Sequence, residues 1–210
     1  PSTVAYAFLP PAMKREVATV PGSVVPSATV PGSVAGRREV IRYATAEWRN
    51  ARLVEFIRAR RDRQCAVIVI VPHLSDLQET YDILRETFPA EAVNLCHGDL
   101  TPAKYRVAWR TMLSGQPGIV LGTRGAITAP IRNLGGIVIL ECDSRDLKQY
   151  DQNPRFDART AALHRAEFAS ADLLLMARAP RTEEYALVGN GFTFSEEPVK
   201  DAPAVLVNSS

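Results

Sequence analysis

Between about residues 47 and 177, short apolar runs alternate with longer stretches whose apolar positions recur every three or four residues. The plainest run is Ala66–Val71, AVIVIV, which is continuous and β-branched and predicts a strand covered on both faces. Ala92–Cys96, Ile119–Leu121, Ile137–Leu140 and Asp172–Met176 read as further strands. Helical period marks the intervals. Arg37–Arg63 places Trp48, Leu53, Phe56 and Ile57 on one face and most of its arginines on the other. Asp76–Phe88 follows a Ser75 cap and turns Leu77, Tyr81, Leu84 and Phe88 inward. Thr101-Pro102 opens a helix to Leu113, closed by Ser114-Gly115. Phe156–Ala169 is the last strong helical stretch; beyond Pro180 the pattern weakens, with a short strand expected at Tyr185–Val188. Strands alternating with helices predict an α/β fold with an open, mainly parallel sheet covered by helices on both faces.

The ends are punctuated differently. Thr19–Val24, TVPGSV, repeats as Thr29–Val34, with Pro26 between the copies. Pro-Gly pairs are turn signals, so residues 1–36 read as an irregular arm: a duplicated linker, or turns docked on the core. Phe8-Leu9-Pro10-Pro11 precedes room for a short helix at residues 13–19. Residues 37–188 form the expected domain and 189–210 a loose tail. The chain opens on Pro1, compatible with a fragment of a longer protein.

Composition narrows this only a little. Apolar content of 46%, charged content of 23% and a net charge of +2 are ordinary for a globular protein. The charge alone does not imply nucleic acid. Arginine greatly outnumbers lysine, which suits bidentate phosphate contacts and equally reflects a biased genome. Cys65, Cys96 and Cys142 form no CxxC pair, so isolated thiols in a reducing, cytoplasmic compartment are expected. No apolar run approaches the ~18 residues of a membrane span.

Candidate chemistry gathers in Gly118–Asp143, GIVLGTRGAITAPIRNLGGIVILECD. A strand meets a polar turn with Thr123 and Arg124; a second strand runs into Glu141, Cys142 and Asp143. Ligands collect at the carboxyl ends of strands in parallel sheets. Yet the chain holds no G-x-x-x-x-G-K-[ST], whose backbone N–H groups and lysine would cradle phosphates, and no G-x-G-x-x-G or G-x-S-x-G. The stretch where the phosphate loop belongs, around residues 34–48, carries one glycine and no lysine. His73 and His97 follow strands and could share a sheet edge, but no histidine pair has metal-ligand spacing.

An ordered set of short motifs changes the picture. Gly122-Thr123-Arg124-Gly125-Ala126, Ala129-Pro130, Asn133-Leu134-Gly135 and the strand to Glu141 resemble the GTRSA, AP, NLG and DEEH pattern of the first motor domain of the primosomal protein N′ family, superfamily 2 DNA helicases of replication restart. Ile70-Val71-Pro72 resembles motif Ia, and Cys96–Leu100 the family's HSGLS; Trp109 falls at its AW pair. Lys148-Gln149 and Arg155–Arg159 resemble YKQ and RYHAR of the aromatic-rich loop, and Leu174–Pro180 resembles motif III. The resemblance spans roughly residues 40–188 and implies a RecA-like domain of the phosphate-loop NTPase type.

In that family the first Walker B acid orients Mg²⁺ and the second positions the attacking water. Here Glu141 and Cys142 stand at those positions, or, shifted by one residue, Leu140 and Glu141. Ala177-Arg178-Ala179 replaces the Ser-Ala-Thr of motif III. With the phosphate loop also missing, the expectation is a degenerate ATPase centre whose remnants are Glu141 and Asp143, with no cofactor. A pocket filled by Arg37, Arg38 or Arg178 would close it; an active helicase using ATP and Mg²⁺ through divergent motifs is the alternative. The DNA side is better kept. The resemblance implies contacts to single-stranded or forked DNA from Thr123, Arg124, Lys148, Arg155 and Arg159, and primosome proteins as further partners. The competing readings are that Arg124 and Arg155 pair with Glu141, Asp143 or Asp157, and that the domain is a protein-interaction scaffold without DNA affinity.

Overall fold

The computed structural model describes residues 36–150, 153 and 155–198. The Pro-Gly repeat, the helix expected at residues 13–19 and the tail from residue 199 lie outside the described residues. In chain order the elements are β1 (Arg38–Arg42), α1 (Ala46–Arg61), β2 (Ala66–Ile70), α2 (Leu74–Thr87), β3 (Val93–Cys96), α3 (Pro102–Leu113), β4 (Ile119–Gly122), β5 (Leu134–Ile139), α4 (Ala158–Ala169), β6 (Asp172–Ala177), α5 (Thr182–Val188) and β7 (Thr193–Glu196). The strands make one seven-stranded sheet in the order β3-β4-β2-β5-β6-β1-β7, each neighbouring pair parallel. All carboxyl ends therefore share one edge.

The apolar runs are continuous because both faces are covered. Ile68 and Ile70 of β2 join a core with Met112 of α3 and Ala158, Ala162 and Ala166 of α4. Val67 and Val69 point the other way, into a core with Leu53, Phe56 and Ile57 of α1 and Leu77 and Leu84 of α2. The three alanines of α4 lie four residues apart, so they form one small-residue stripe that lets the helix pack close to the sheet.

The largest departure from expectation is at the start. Residues 38–42 form a strand, not the first turns of a helix from Arg37. Val40 and Ile41 are fully buried between β6 and β7, while charged neighbours blur the period. Those neighbours are satisfied locally: Arg38 pairs with Glu167, and Glu39 accepts from Ser195. Thr45 then caps α1, its hydroxyl accepting from the N–H of Trp48. The α1 arginines are not all solvated either. Arg60 lies 3.6 Å from the Phe56 ring and pairs with Asp172 at 2.7 Å.

Two smaller corrections follow. α2 begins at Leu74 after His73, and Ser75 instead bonds the Asp76 side chain. Residues 182–188 are helical, where a strand at Tyr185–Val188 was expected. Glu184 anchors the start of this helix, its carboxylate accepting from the Arg181 N–H at 2.8 Å and pairing with the Arg181 guanidinium at 3.1 Å. The strand comes later, as β7, past residue 188, and it pairs along β1.

Candidate functional site

The carboxyl edge of the sheet carries two neighbouring constellations. The first surrounds the ends of β1, β5 and β6. Only Tyr43, Ala44 and Thr45 separate β1 from α1, too few to form an eight-residue phosphate loop. Tyr43 is 2% exposed and donates its hydroxyl hydrogen bond to Glu141. Arg49, from the first turn of α1, reaches Glu141 at 3.6 Å and Glu79 of α2 at 2.9 Å. The Arg49 and Arg178 guanidinium groups lie 5.9 Å and 5.7 Å from the centre of the Tyr43 ring. Burial, reinforced by the bond to Glu141, pushes the Tyr43 phenol above its ordinary range, so the ring stays a neutral donor.

These contacts decide how Glu141 is used. Its backbone sits at φ +47°, a left-handed conformation that costs a non-glycine residue energy. Its carboxylate turns toward Tyr43 and Arg49. Cys142 is fully buried; burial, with the nearby Glu184 and Asp143 charges, raises its thiol pKa, so it supplies no negative charge. Asp143 holds one buried carboxylate oxygen without a hydrogen-bond partner. A Mg²⁺–nucleotide does not fit this set: the seat lacks a lysine, a thiol stands beside Glu141, and Tyr43 and Arg49 already engage the acid. The filling groups are Tyr43 and Arg49, with Arg178 alongside. Arg38 instead pairs with Glu167, and the Arg37 N–H donates to Asp172.

The second constellation lies over β4, β2 and the chain after β5. Gly122 ends β4 where a Cβ would lie 1.8 Å from the carbonyl oxygen of Cys96 and 2.9 Å from the Ala126 Cβ. Only glycine lets the turn fold this tightly over β3. Thr123 then precedes a short 3₁₀ turn, Arg124–Thr128. Arg124 donates to the Asp146 carbonyl at 3.3 Å and to the Gln149 side chain at 3.4 Å. His73, at the head of α2, lies 3.3 Å from the other side of Asp146, its carboxylate. The turn, the helix head and the 145–149 segment are thus linked.

The 148–149 segment pairs with residues 156–157. Lys148 and Asp157 form an antiparallel bridge, and the Gln149 N–H bonds the Phe156 carbonyl at 2.8 Å. Lys148 is exposed and lies 5.1 Å from the ring of Tyr150, itself 59% exposed. Arg155 is exposed on the returning arm. Arg159 faces inward: its guanidinium holds Asp157 at 2.6 Å and the Cys142 carbonyl at 2.9 Å, with Glu184 at 3.6 Å. Burial alone would raise the Asp157 pKa, but the Arg159 hydrogen bonds outweigh it and hold the carboxyl below its ordinary range.

Of the residues expected from the sequence, Thr123, Arg124, Lys148 and Arg155 thus lie on linked loops at one edge. Glu141 lies next to them in the filled seat, and Arg159 is turned inward onto Asp157 and the Cys142 carbonyl. Sequence reasoning missed Tyr43, Arg49 and Arg165. Arg165 is a mostly buried α4 residue that donates to the carbonyls of Ile127 and Ala129 behind the Gly122–Arg124 turn. A sequence signal existed only for Arg49, one arginine among several on α1.

Comparisons with known proteins agree with this architecture. No protein-family model matches the chain. The replication restart protein PriA of Synechocystis is 34% identical over 123 residues, covering 59% of this chain and 15% of that protein. The PriA protein of Bacillus subtilis is 33% identical over 124 residues, covering 59% and 15%. A probable replication restart protein PriA of Mycobacterium tuberculosis is 29% identical over 218 residues, covering 94% of this chain and 32% of its own length. The chain therefore spans less than a third of these curated relatives. Among solved structures, RecG bound to a three-way DNA junction aligns over 80% of this chain and 22% of its own, at TM-score 0.56 and 18% identity. The UvsW helicase of bacteriophage T4 aligns over 77% and 55%, at TM-score 0.55 and 13% identity. The described residues form a RecA-like α/β fold, and the chain is similar to one part of the replication restart protein PriA.

Proposed function

We propose that this domain binds DNA within a replication-restart factor and does not hydrolyse ATP itself. The carrying observation is the linked edge: the Thr123–Arg124 turn is tied through Arg124 to the paired segments that carry Lys148, Tyr150 and Arg155. Arginine, lysine and a hydroxyl at a strand-end turn suit phosphodiester contacts. An exposed tyrosine beside a lysine suits stacking on an unpaired base. Primosome proteins would be further partners. Lack of hydrolysis is supported by the three-residue β1–α1 connection and by the occupation of Glu141 by Tyr43 and Arg49.

Fluorescence anisotropy with a forked DNA tests the first half. Binding at low salt is expected, weakened several-fold by Arg124→Ala or Lys148→Ala and by added salt. No binding at low salt would remove the DNA reading and leave a protein-interaction scaffold. Isothermal titration with ATP·Mg²⁺ tests the second half; micromolar binding would overturn it in favour of an active motor.

A further inference from the structure

The head of α1 is the place where a phosphate loop would present its N–H groups to an anion. Two N–H groups immediately ahead of α1, those of Ala44 and the N-cap Thr45, are already used here. The Ala44 N–H donates to Glu197 Oε2 at 2.7 Å, and the Thr45 N–H donates to the same oxygen at 2.8 Å. The Thr45 hydroxyl donates to Glu197 Oε1 at 2.6 Å and accepts from the Trp48 N–H at 3.3 Å. Both carboxylate oxygens are thus engaged by one helix start. Glu197 comes from far along the chain, directly after β7, and its own N–H bonds the Arg42 carbonyl at 2.9 Å, extending the β1–β7 ladder. Its neighbour Glu196 points elsewhere, to Arg42 at 3.4 Å.

We propose that Glu197 is an internal anion that takes the place of a phosphate at the α1 head. It latches the segment after β7 to the start of the motor fold and closes the seat to phosphoryl groups. The geometry is that of two backbone donors and a hydroxyl converging on one carboxylate, with the helix macrodipole favouring negative charge there. The inference rests on the reading that the domain does not use ATP, but concerns what fills the seat rather than what it lacks. It makes no claim about DNA.

The test uses the whole 210-residue chain. Glu197→Ala should lower Tm by about 1 to 8 °C, from loss of a helix cap in a chain of this size. It should also shift the amide proton resonances of Ala44 and Thr45 and speed their exchange. Glu197→Gln, which keeps an acceptor and loses the charge, should fall between. Glu196→Gln should leave both signals unchanged. Adding ~20 mM inorganic phosphate should recover roughly half of the Tm lost in Glu197→Ala and leave the unaltered protein unmoved. Unaltered Ala44 and Thr45 amides in Glu197→Ala would overturn the latch while leaving the no-hydrolysis reading intact. Equal stabilisation of both proteins by phosphate would overturn the closure of the seat. Stabilisation of the unaltered protein by ATP·Mg²⁺, with no response to phosphate, would sink the no-hydrolysis reading instead.

Discussion

Tyr43, Glu141 and Arg49 form a contact set that joins positions nearly a hundred residues apart. Tyr43 is almost fully covered, so removing its hydroxyl takes away a donor that Arg49 and water reach only in part, the Glu141 side chain being 29% exposed. Tyr43→Phe should lower the unfolding free energy by about 1 to 3 kcal/mol in urea titrations. Unchanged stability would show that the hydroxyl is not engaged. Asp157 and Arg159 make a second test. The Asp157 pKa is lowered in the fold, so its stabilisation is present above the unfolded pKa and is lost as pH falls through the folded value. Arg159→Gln should therefore cost stability at neutral pH and little near pH ~2, flattening the acid limb of the stability profile. A constant deficit at all pH values would point to lost packing instead. None of these partners was legible from the sequence. Spacing shows what neighbours along a helix or strand can do; it does not show which carboxylate a tyrosine meets after ninety-eight residues.

Among the elements, strands buried on both faces were readable because their apolar runs are unbroken; β2, β5 and β6 are the examples. β1 was hidden because only Val40 and Ile41 carry the signal, between charged residues that pair at the rim. α5 was hidden by its length and by an N-cap, Arg181, outside the usual Ser, Thr, Asp and Asn set. α4 has a role its alanine stripe does not reveal. Arg159 at its start grips the chain after β5, and Arg165 grips the carbonyls behind the Gly122–Arg124 turn. Burial pulls the Arg165 guanidinium down to about 10, still charged at neutral pH. Arg165→Met keeps the volume but strands two carbonyls, at a cost of about 2 kcal/mol or more. It should also weaken DNA binding although it touches no DNA, because the turn carrying Thr123 loses its support. Full DNA affinity in a destabilised Arg165→Met protein would separate the helix from the edge. β7 supplies a different test. Ending the chain at Asn190 removes the strand and Glu197, exposing the β1 ladder as a new edge. Exposed edges recruit other chains, so light scattering should detect more association than in the unaltered chain.

Taken whole, the molecule has a net charge of +2, too little for a general attraction to nucleic acid. Any DNA affinity must then come from where the cations stand, and their number fixes a measurable slope. Arg124, Lys148 and Arg155 are the cations proposed to meet phosphate, with Arg145 also exposed on the 145–149 segment, while Arg159 holds Asp157 and the Cys142 carbonyl. Three phosphate contacts on a single strand predict that log K falls with log salt at a slope of about −2. Removing Arg124 or Lys148 should bring the slope nearer −1.4, about 0.7 per lost contact. Arg159→Gln should leave the slope alone even where it lowers affinity, since it acts through Asp157 and the Cys142 carbonyl. A slope well beyond −3 in the unaltered protein would mean that cations away from this edge carry the binding. The Thr123–Arg124 turn would then be a structural relic of the motor fold and not the place where DNA is held.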